Sequence, residues 1–488
     1  MSLAEPHDSL QGGAHATEET VGSKATHAQR VSLLISPYFP PVGVSGTKRA
    51  LHLTRNLPAH GWSPVVLTGR AIGEPLDETL NECVPPSTKV SQGLSGRLRP
   101  WLAQRKEAKA KGATALRAPK APSALSQLLK RLTPRNLNYW SPFDRYLLDI
   151  PAGLKVAREL IKREGVEVIH ISADPWAPLI IGLKLARELK LPLIVDFRDP
   201  WSVHEGKMAL RPALTRWLLR RFESRLFQVA SKVILNTESA RDAYREVYRG
   251  RLPAERFVAI RNAFDEGLFK APVTPPTERQ DERQGRASRF EVLYFGRFRQ
   301  FVSPEQLFKG FASFVRARNV SPSEASLVLV GGLSDEHLSL ARELGVAEHL
   351  EVRPPVPFRE ALPTLRGASC LVLVIEPDCE LQIPGKLYDY FAAARPILAL
   401  SANQEANEMI TSLGLGDAVA HHDVDAIAEA LEARYERTLS HAEGAGSAED
   451  LSALIEPYSA REQARRVAAL YEEACAEVEA GAGKATGA

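Results

Sequence analysis

Short, mostly apolar runs recur along the chain, each followed by a turn-rich polar stretch and then by a longer segment with helical spacing. Residues 31–35 open the series as a strand. A turn at 36–46, a helix over 47–60 and a second strand at 64–68 follow. After an interruption come strands at 168–171, 193–196 and 232–235, with helices near 151–164, 177–189, 212–224 and 238–248. Runs of this kind fit strands buried on both faces, and strand–helix alternation predicts a parallel sheet covered by helices.

Residues 270–289 break the pattern with Pro272, Pro275, Pro276 and a run of charges, which reads as a linker. The alternation then restarts, with strands at 291–295, 327–330, 371–375 and 397–400. The expectation is an α/β protein of two doubly wound, Rossmann-like domains facing across a cleft, at 30–269 and 290–455. Around them lie a disordered segment at 1–29, a last helix at 456–479 and a flexible tail at 480–488. A length of 488 residues agrees with two large domains.

Composition narrows the class. At 44% hydrophobic the chain can fill cores, which excludes wholesale disorder. Lys and Arg number 62 against 59 acids, so no global field draws the protein to nucleic acid. Cys83, Cys370, Cys379 and Cys475 are too scattered for a disulfide framework or a zinc site. Residues 1–29 show no basic-then-apolar address, and no run reaches the ~18 apolar residues of a membrane span. A cytoplasmic protein is expected.

Ligands of such folds sit in loops after strands. The first loop lacks G-x-G-x-x-G, the second strand ends at Thr68 rather than at an acid, and no P-loop is present. Gly43 and Gly46 nevertheless allow close approach, Ser45 stands between them, and the helix that follows aims amide groups at a ligand. Lys48 and Arg49 place charge in its first turn, which points to an anionic or polar partner. The 196–201 run, Asp-Phe-Arg-Asp-Pro-Trp, crowds a strand end. Asp196 and Arg198 read equally as a structural pair or as site residues, whereas Asp199 and Trp201 are the better contact candidates. In the second half, Gly296 and Arg297 close a strand, with Arg299 two residues on, and an Arg fork suits a phosphate. Pro384, Gly385 and Lys386 at a helix start make a diphosphate cradle, and Asp389, one turn on, suits a ribose diol.

Together these pieces resemble the retaining GT-B glycosyltransferases of family 4, most of all the branch acting on cell-surface polysaccharide and lipid-linked precursors. The resemblance rests on Ile35, Ser36, Pro37, Tyr38, Phe39, Pro40 and Pro41 with Gly43 and Gly46. It also rests on the 196–201 run, Arg261-Asn262-Ala263-Phe264-Asp265, Phe295-Gly296-Arg297, and the stretch from Ile383 to Asp389 leading to Arg395-Pro396. It implies a GT-B architecture, an acceptor on the first domain, and a nucleotide-sugar on the second as substrate. No cofactor and no metal are implied. Arg297 matches the diphosphate Arg, Asp389 the ribose acid, Gly43 the glycine loop, and the final helix the one that braces the first domain. Asp174 and Asp199 are the acids placed to orient an acceptor hydroxyl, with Arg297 and Lys386 taking the leaving-group charge. Three positions depart from the family. Val302 stands where a phosphate Lys is usual, Leu381 where a first acid is usual, and Ser172 where a histidine is usual.

The stretch 95–140 is a basic insert. It carries eleven Lys/Arg and the single acid Glu107, a net of +10, so the rest of the chain is at −7. With Trp101 and the spacing Leu125-Leu128-Leu129-Leu132, it reads as a segment for an anionic membrane surface on the inner face, beside a lipid-linked acceptor. The sequence thus favours a glycosyltransferase with a glycan or lipid-linked acceptor. An inactive GT-B scaffold subunit is the alternative, and a sugar epimerase the third reading.

Overall fold

The computed structural model describes residues 29–95, 139–265, 267, 289–298, 302–440 and 448–486. The expected disordered segment at 1–29, the insert at 95–140 and the linker at 270–289 fall almost wholly outside them.

The first half contains β1 (Arg30–Ile35), α1 (Ser45–Asn56), β2 (Trp62–Leu67), β3 (Lys89–Ser91), α2 (Ile150–Glu164) and β4 (Val166–Ala173). It continues with α3 (Leu179–Leu189), β5 (Leu193–Phe197), α4 (Glu205–Ala209), α5 (Ala213–Val229), β6 (Lys232–Leu235), α6 (Glu238–Val247) and β7 (Phe257–Ala259). All strand pairs are parallel, in the order β3-β2-β1-β4-β5-β6-β7. The order in which strands are added therefore reverses between β1 and β4, and the loops leaving those two strands open the crevice that such sheets offer to ligands.

The second half repeats the plan with β8 (Phe290–Phe295), α7 (Glu305–Ala317), β9 (Ala325–Val330), α8 (Asp335–Glu343), β10 (Leu350–Arg353), α9 (Phe358–Gly367) and β11 (Cys370–Ile375). Then come α10 (Lys386–Ala393), β12 (Ile397–Ser401), α11 (Gln404–Ser412), β13 (Gly416–Val419), α12 (Val424–Leu439), α13 (Ala448–Ile455) and α14 (Ala460–Thr486). The strand order is β10-β9-β8-β11-β12-β13, again parallel, with its reversal between β8 and β11.

Each sheet is apolar on both faces because its central strands are wholly buried: β5, β9, β11 and β12 carry no exposed residue. One face of the first sheet is closed by α14. Its stripe Ala464, Val467, Ala468, Tyr471, Ala474 and Cys475 packs with Leu34, Trp62, Val66, Val168, Ile194 and Ile234. Tyr471 Oη lies 2.8 Å from His170 Nδ1, and the Trp62 indole donates to Glu472 at 2.8 Å. This helix runs to Thr486, past the Glu479 expected from sequence, so the tail expected from 480 onward is helical over most of its length. The two connections between the halves run side by side, joined by Phe264 N–H to Tyr458 O at 3.1 Å and Ala460 N–H to Phe264 O at 2.8 Å.

Candidate functional site

The loop leaving β1 is built by its own hydrogen bonds. Thr47 Oγ1 donates to Val42 O at 2.6 Å, Gly43 N–H to Pro75 O at 2.8 Å, and Asp77 N–H to Pro41 O at 2.8 Å. A Cβ on Gly43 would stand 3.1 Å from that of Asp77, so this glycine answers to the neighbouring 75–77 segment and its amide is already used. Ser45 and Gly46 differ. They open α1, their amides have no intrahelical acceptor, and the preceding Val44 gives no side-chain cap. Gly46 lets Arg198 lie against the helix start: a Cβ there would fall 1.8 Å from Arg198 Nη1 in its present position. The Arg198 guanidinium thus lies across the helix start, 5.8 Å from the Tyr38 ring centroid. A cation over free amides is a place for an anion.

The 196–201 run divides into two roles. Asp196 pairs with Arg49 at 2.6 Å and approaches His170 Nε2 at 3.2 Å, and neither Arg49 (2%) nor Asp196 (0%) reaches solvent. Arg49 also donates to the Ile260 and Arg261 carbonyls at 3.0 Å each. The structural pair considered for Asp196 is therefore formed with Arg49, which leaves Arg198 for the cleft. Burial pushes the Asp196 carboxyl up, but the Arg49 charge and His170 outweigh it and hold it below its ordinary value. Trp201, expected from sequence to face the cleft, is packed in the core. It is 3% exposed and stacked on Trp176 at 4.7 Å with Phe143, Phe197 and Phe222 around it.

Asp174, after β4, and Asp199, after β5, lie close enough to act on each other. Burial pushes the Asp174 carboxyl up to about 6, Asp199 and Asp144 add to this, and Arg198 opposes it. Across the cleft, a Cβ on Gly206 would be 3.8 Å from the Asp378 carboxylate.

On the second sheet, Gly296 adopts φ 119°, Gly331 φ 132° and Gly332 φ 88°, and a Cβ on Gly331 would meet the Gly296 backbone at 2.7 Å. Only glycine fits this floor at the ends of β8 and β9. Gly331 and Gly332 were missed from sequence, although a glycine pair directly after an apolar run was the available signal. Arg297 is exposed above the floor with its Nε donating to Gly331 O at 3.2 Å. The Lys386 ammonium lies 3.8 Å from the Tyr294 ring centroid and 3.4 Å from Phe295 O, so both cations attend one strand end. Around Gly385 a Cβ would meet only Asn262 Nδ2, at 4.0 Å, which leaves room for a ligand. Asp389 is buried and accepts from Lys48 Nζ at 2.7 Å, across the cleft. Burial raises its carboxyl and Lys48 opposes this. Arg299 lies outside the described residues.

The three family departures are all packing positions. Leu381 rests against the first sheet's core and its carbonyl accepts from Thr237 Oγ1 at 3.0 Å. Val302 packs in the second domain and Ser172 is buried in β4. Sequence reading also missed Glu405, which reaches from α11 to the Glu238 and Ser239 amides at the start of α6 and pairs with Arg261 at 2.8 Å. Glu405 bridges the halves by capping that helix start. Asn403 Nδ2 holds the 379–382 loop through the Glu380 and Gln382 carbonyls at 2.7 and 3.2 Å. All four cysteines are free thiols. Among the described residues, no helix is long and apolar enough to cross a membrane.

A family model described as a glycosyl transferase 4-like domain matches residues 46–263. The chain is 24% identical over 313 residues to D-inositol 3-phosphate glycosyltransferase 1 of Catenulispora acidiphila, covering 60% of this chain and 72% of that one. Its fold is similar to that of sucrose-phosphate synthase from Thermosynechococcus elongatus, with TM-score 0.62 and 17% identity over 92% of this chain and all of that one. It is also similar to a glycosyltransferase from Rickettsia africae, with TM-score 0.56 and 12% identity over 92% of this chain and 99% of that one.

Proposed function

We propose that this chain, a GT-B glycosyltransferase of the family 4 type, moves a sugar from a nucleotide-sugar donor to a glycan or lipid-linked acceptor in cell-surface polysaccharide synthesis, with retention at the anomeric carbon. The observation that carries the reading is the pairing of Arg297 and Lys386 at the end of β8, above glycines that admit a ligand to the backbone. In this reading they hold the donor diphosphate, and Gly385 and Asp389 face its ribose. Asp174 and Asp199 orient the acceptor hydroxyl, and Ser45, Gly46 and Lys48 lie where acceptor and phosphates meet. As the acceptor oxygen attacks C1, the C1–O bond to the diphosphate breaks, and the acceptor proton passes to a departing phosphate oxygen on the same face. Arg297 and Lys386 stabilise the charge that develops, so the proposed reaction uses no metal. The proposed setting is the cytoplasm, on the inner membrane face.

One observation favours the alternative, an inactive scaffold subunit. Leu381 and the Lys48–Asp389 pair use donor-side positions for contacts between the halves. Calorimetry with UDP, GDP and ADP separates the two. Micromolar binding of one nucleotide, weakened at least about tenfold by Arg297→Ala, is expected of a working donor site. Folded protein that binds none of them is the scaffold.

A further inference from the structure

The outer face of α5 is apolar at its start and cationic further on. Leu214 (68% exposed), Trp217 (55%) and Leu218 (41%) project from one stripe, and the stripe continues through Arg221 and Arg225. The opposite face, with Thr215, Leu219, Glu223 and Leu226, is buried in the domain. Exposed Leu210, just before the helix, and Trp140 (58%) widen the patch. Trp140 is fixed beside it, because Thr215 Oγ1 donates to its carbonyl at 2.8 Å and Arg211 donates to Ser141 O at 2.7 Å.

Among the described residues, the charge on this face is uncompensated: Arg216, Arg220, Arg221 and Arg225 make no ion pair, and Arg221 lies 5.4 Å from the Trp217 ring centroid. The one acid of the helix, Glu223, points inward to Ser202, Tyr244 and Tyr248. Two exposed tryptophans and three leucines rimmed by arginines match an interfacial lipid layer: rings and chains enter the headgroup boundary, and guanidinium groups meet phosphates. A second copy docked face to face would oppose arginine to arginine. The basic 95–140 segment repeats the same sign, so it does not complement the patch either.

We propose that this α5 face, with Leu210 and Trp140, is a docking surface for an anionic lipid bilayer. Leu210 comes four residues after Gly206, which faces Asp378 across the cleft, so docking sets the acceptor side of the cleft at the membrane surface. This last step rests on the glycosyltransferase reading, whereas lipid binding itself does not.

The test is co-sedimentation of the full chain with phosphatidylcholine vesicles, with and without phosphatidylglycerol. Binding is expected only with the anionic lipid. It is expected to fall about tenfold in Leu214→Glu/Trp217→Glu and to weaken in Arg220→Gln/Arg221→Gln/Arg225→Gln, with melting and nucleotide binding unchanged in both. Three results overturn the proposal: wild type left in the supernatant, binding untouched in the Leu214/Trp217 variant, or a dimer that this variant dissolves without any effect of vesicles. Loss of nucleotide binding in wild type refutes the donor site and leaves the lipid result standing.

Discussion

Replacing Asp196 by alanine tests the division of the 196–201 run into structural and cleft-facing residues. The carboxylate accepts from Arg49 at 2.6 Å in a setting closed to water, and only two backbone carbonyls remain for that guanidinium once the carboxylate is gone. Leaving such a charge buried and unpaired costs about 3–5 kcal/mol. For a domain of this size 1 kcal/mol moves the melting midpoint by roughly 2–4 °C, so the first domain should melt about 6–20 °C lower. Circular dichroism melts at pH 7 measure the shift. Arg49→Met/Asp196→Leu, which removes both charges, should recover most of it. Nucleotide affinity should stay constant in folded protein, since Arg297 lies on the other sheet. A midpoint within about 2 °C of wild type would refute the reasoning. It would mean that Asp196 and Arg49 are solvated and open to a ligand.

Three further outcomes are expected. Burial pushes the Glu223 carboxyl up to about 7, so the fold holds its proton more tightly than the unfolded chain. Stability is therefore full at low pH and is lost, by about 3 kcal/mol, as pH rises from about 4.5 through about 7; Glu223→Gln should remove that slope in urea denaturation at pH 5 and 8. If Lys48 competes with a ribose for Asp389, Lys48→Ala should tighten nucleotide binding about fivefold and Asp389→Ala should weaken it about tenfold, and equal losses would contradict the competition. With its carboxyl at about 6, Asp174 should give an acid limb in kcat/KM near that pH. Asp174→Asn should flatten the limb and slow turnover about 10–100-fold, and unchanged turnover would remove Asp174 from the mechanism.

Buried strands were legible because burial on both faces demands continuous apolar residues, as in 371–375 and 397–400. The four strands that pattern reading missed, β3, β7, β10 and β13, are the edges of the two sheets. An edge strand is covered on fewer sides, so 89–91 and 416–419 need no such run. The chemistry divides in the same way. Residue type and order determined that Arg297 belongs to a loop at a strand end and that Lys386 and Asp389 belong to the first turn of a helix, because glycine, arginine and a helix start constrain what such a place can hold. Which groups touch is a matter of distance in space. Residues 48 and 389, 49 and 196, and 237 and 381 meet only after two sheets and a returning helix have closed around them. The same closure put Trp201 in the core and Arg198 over the start of α1. Sequence set the elements and the candidate groups, and tertiary packing decided which of those groups were used up in holding the fold and which were left facing the cleft.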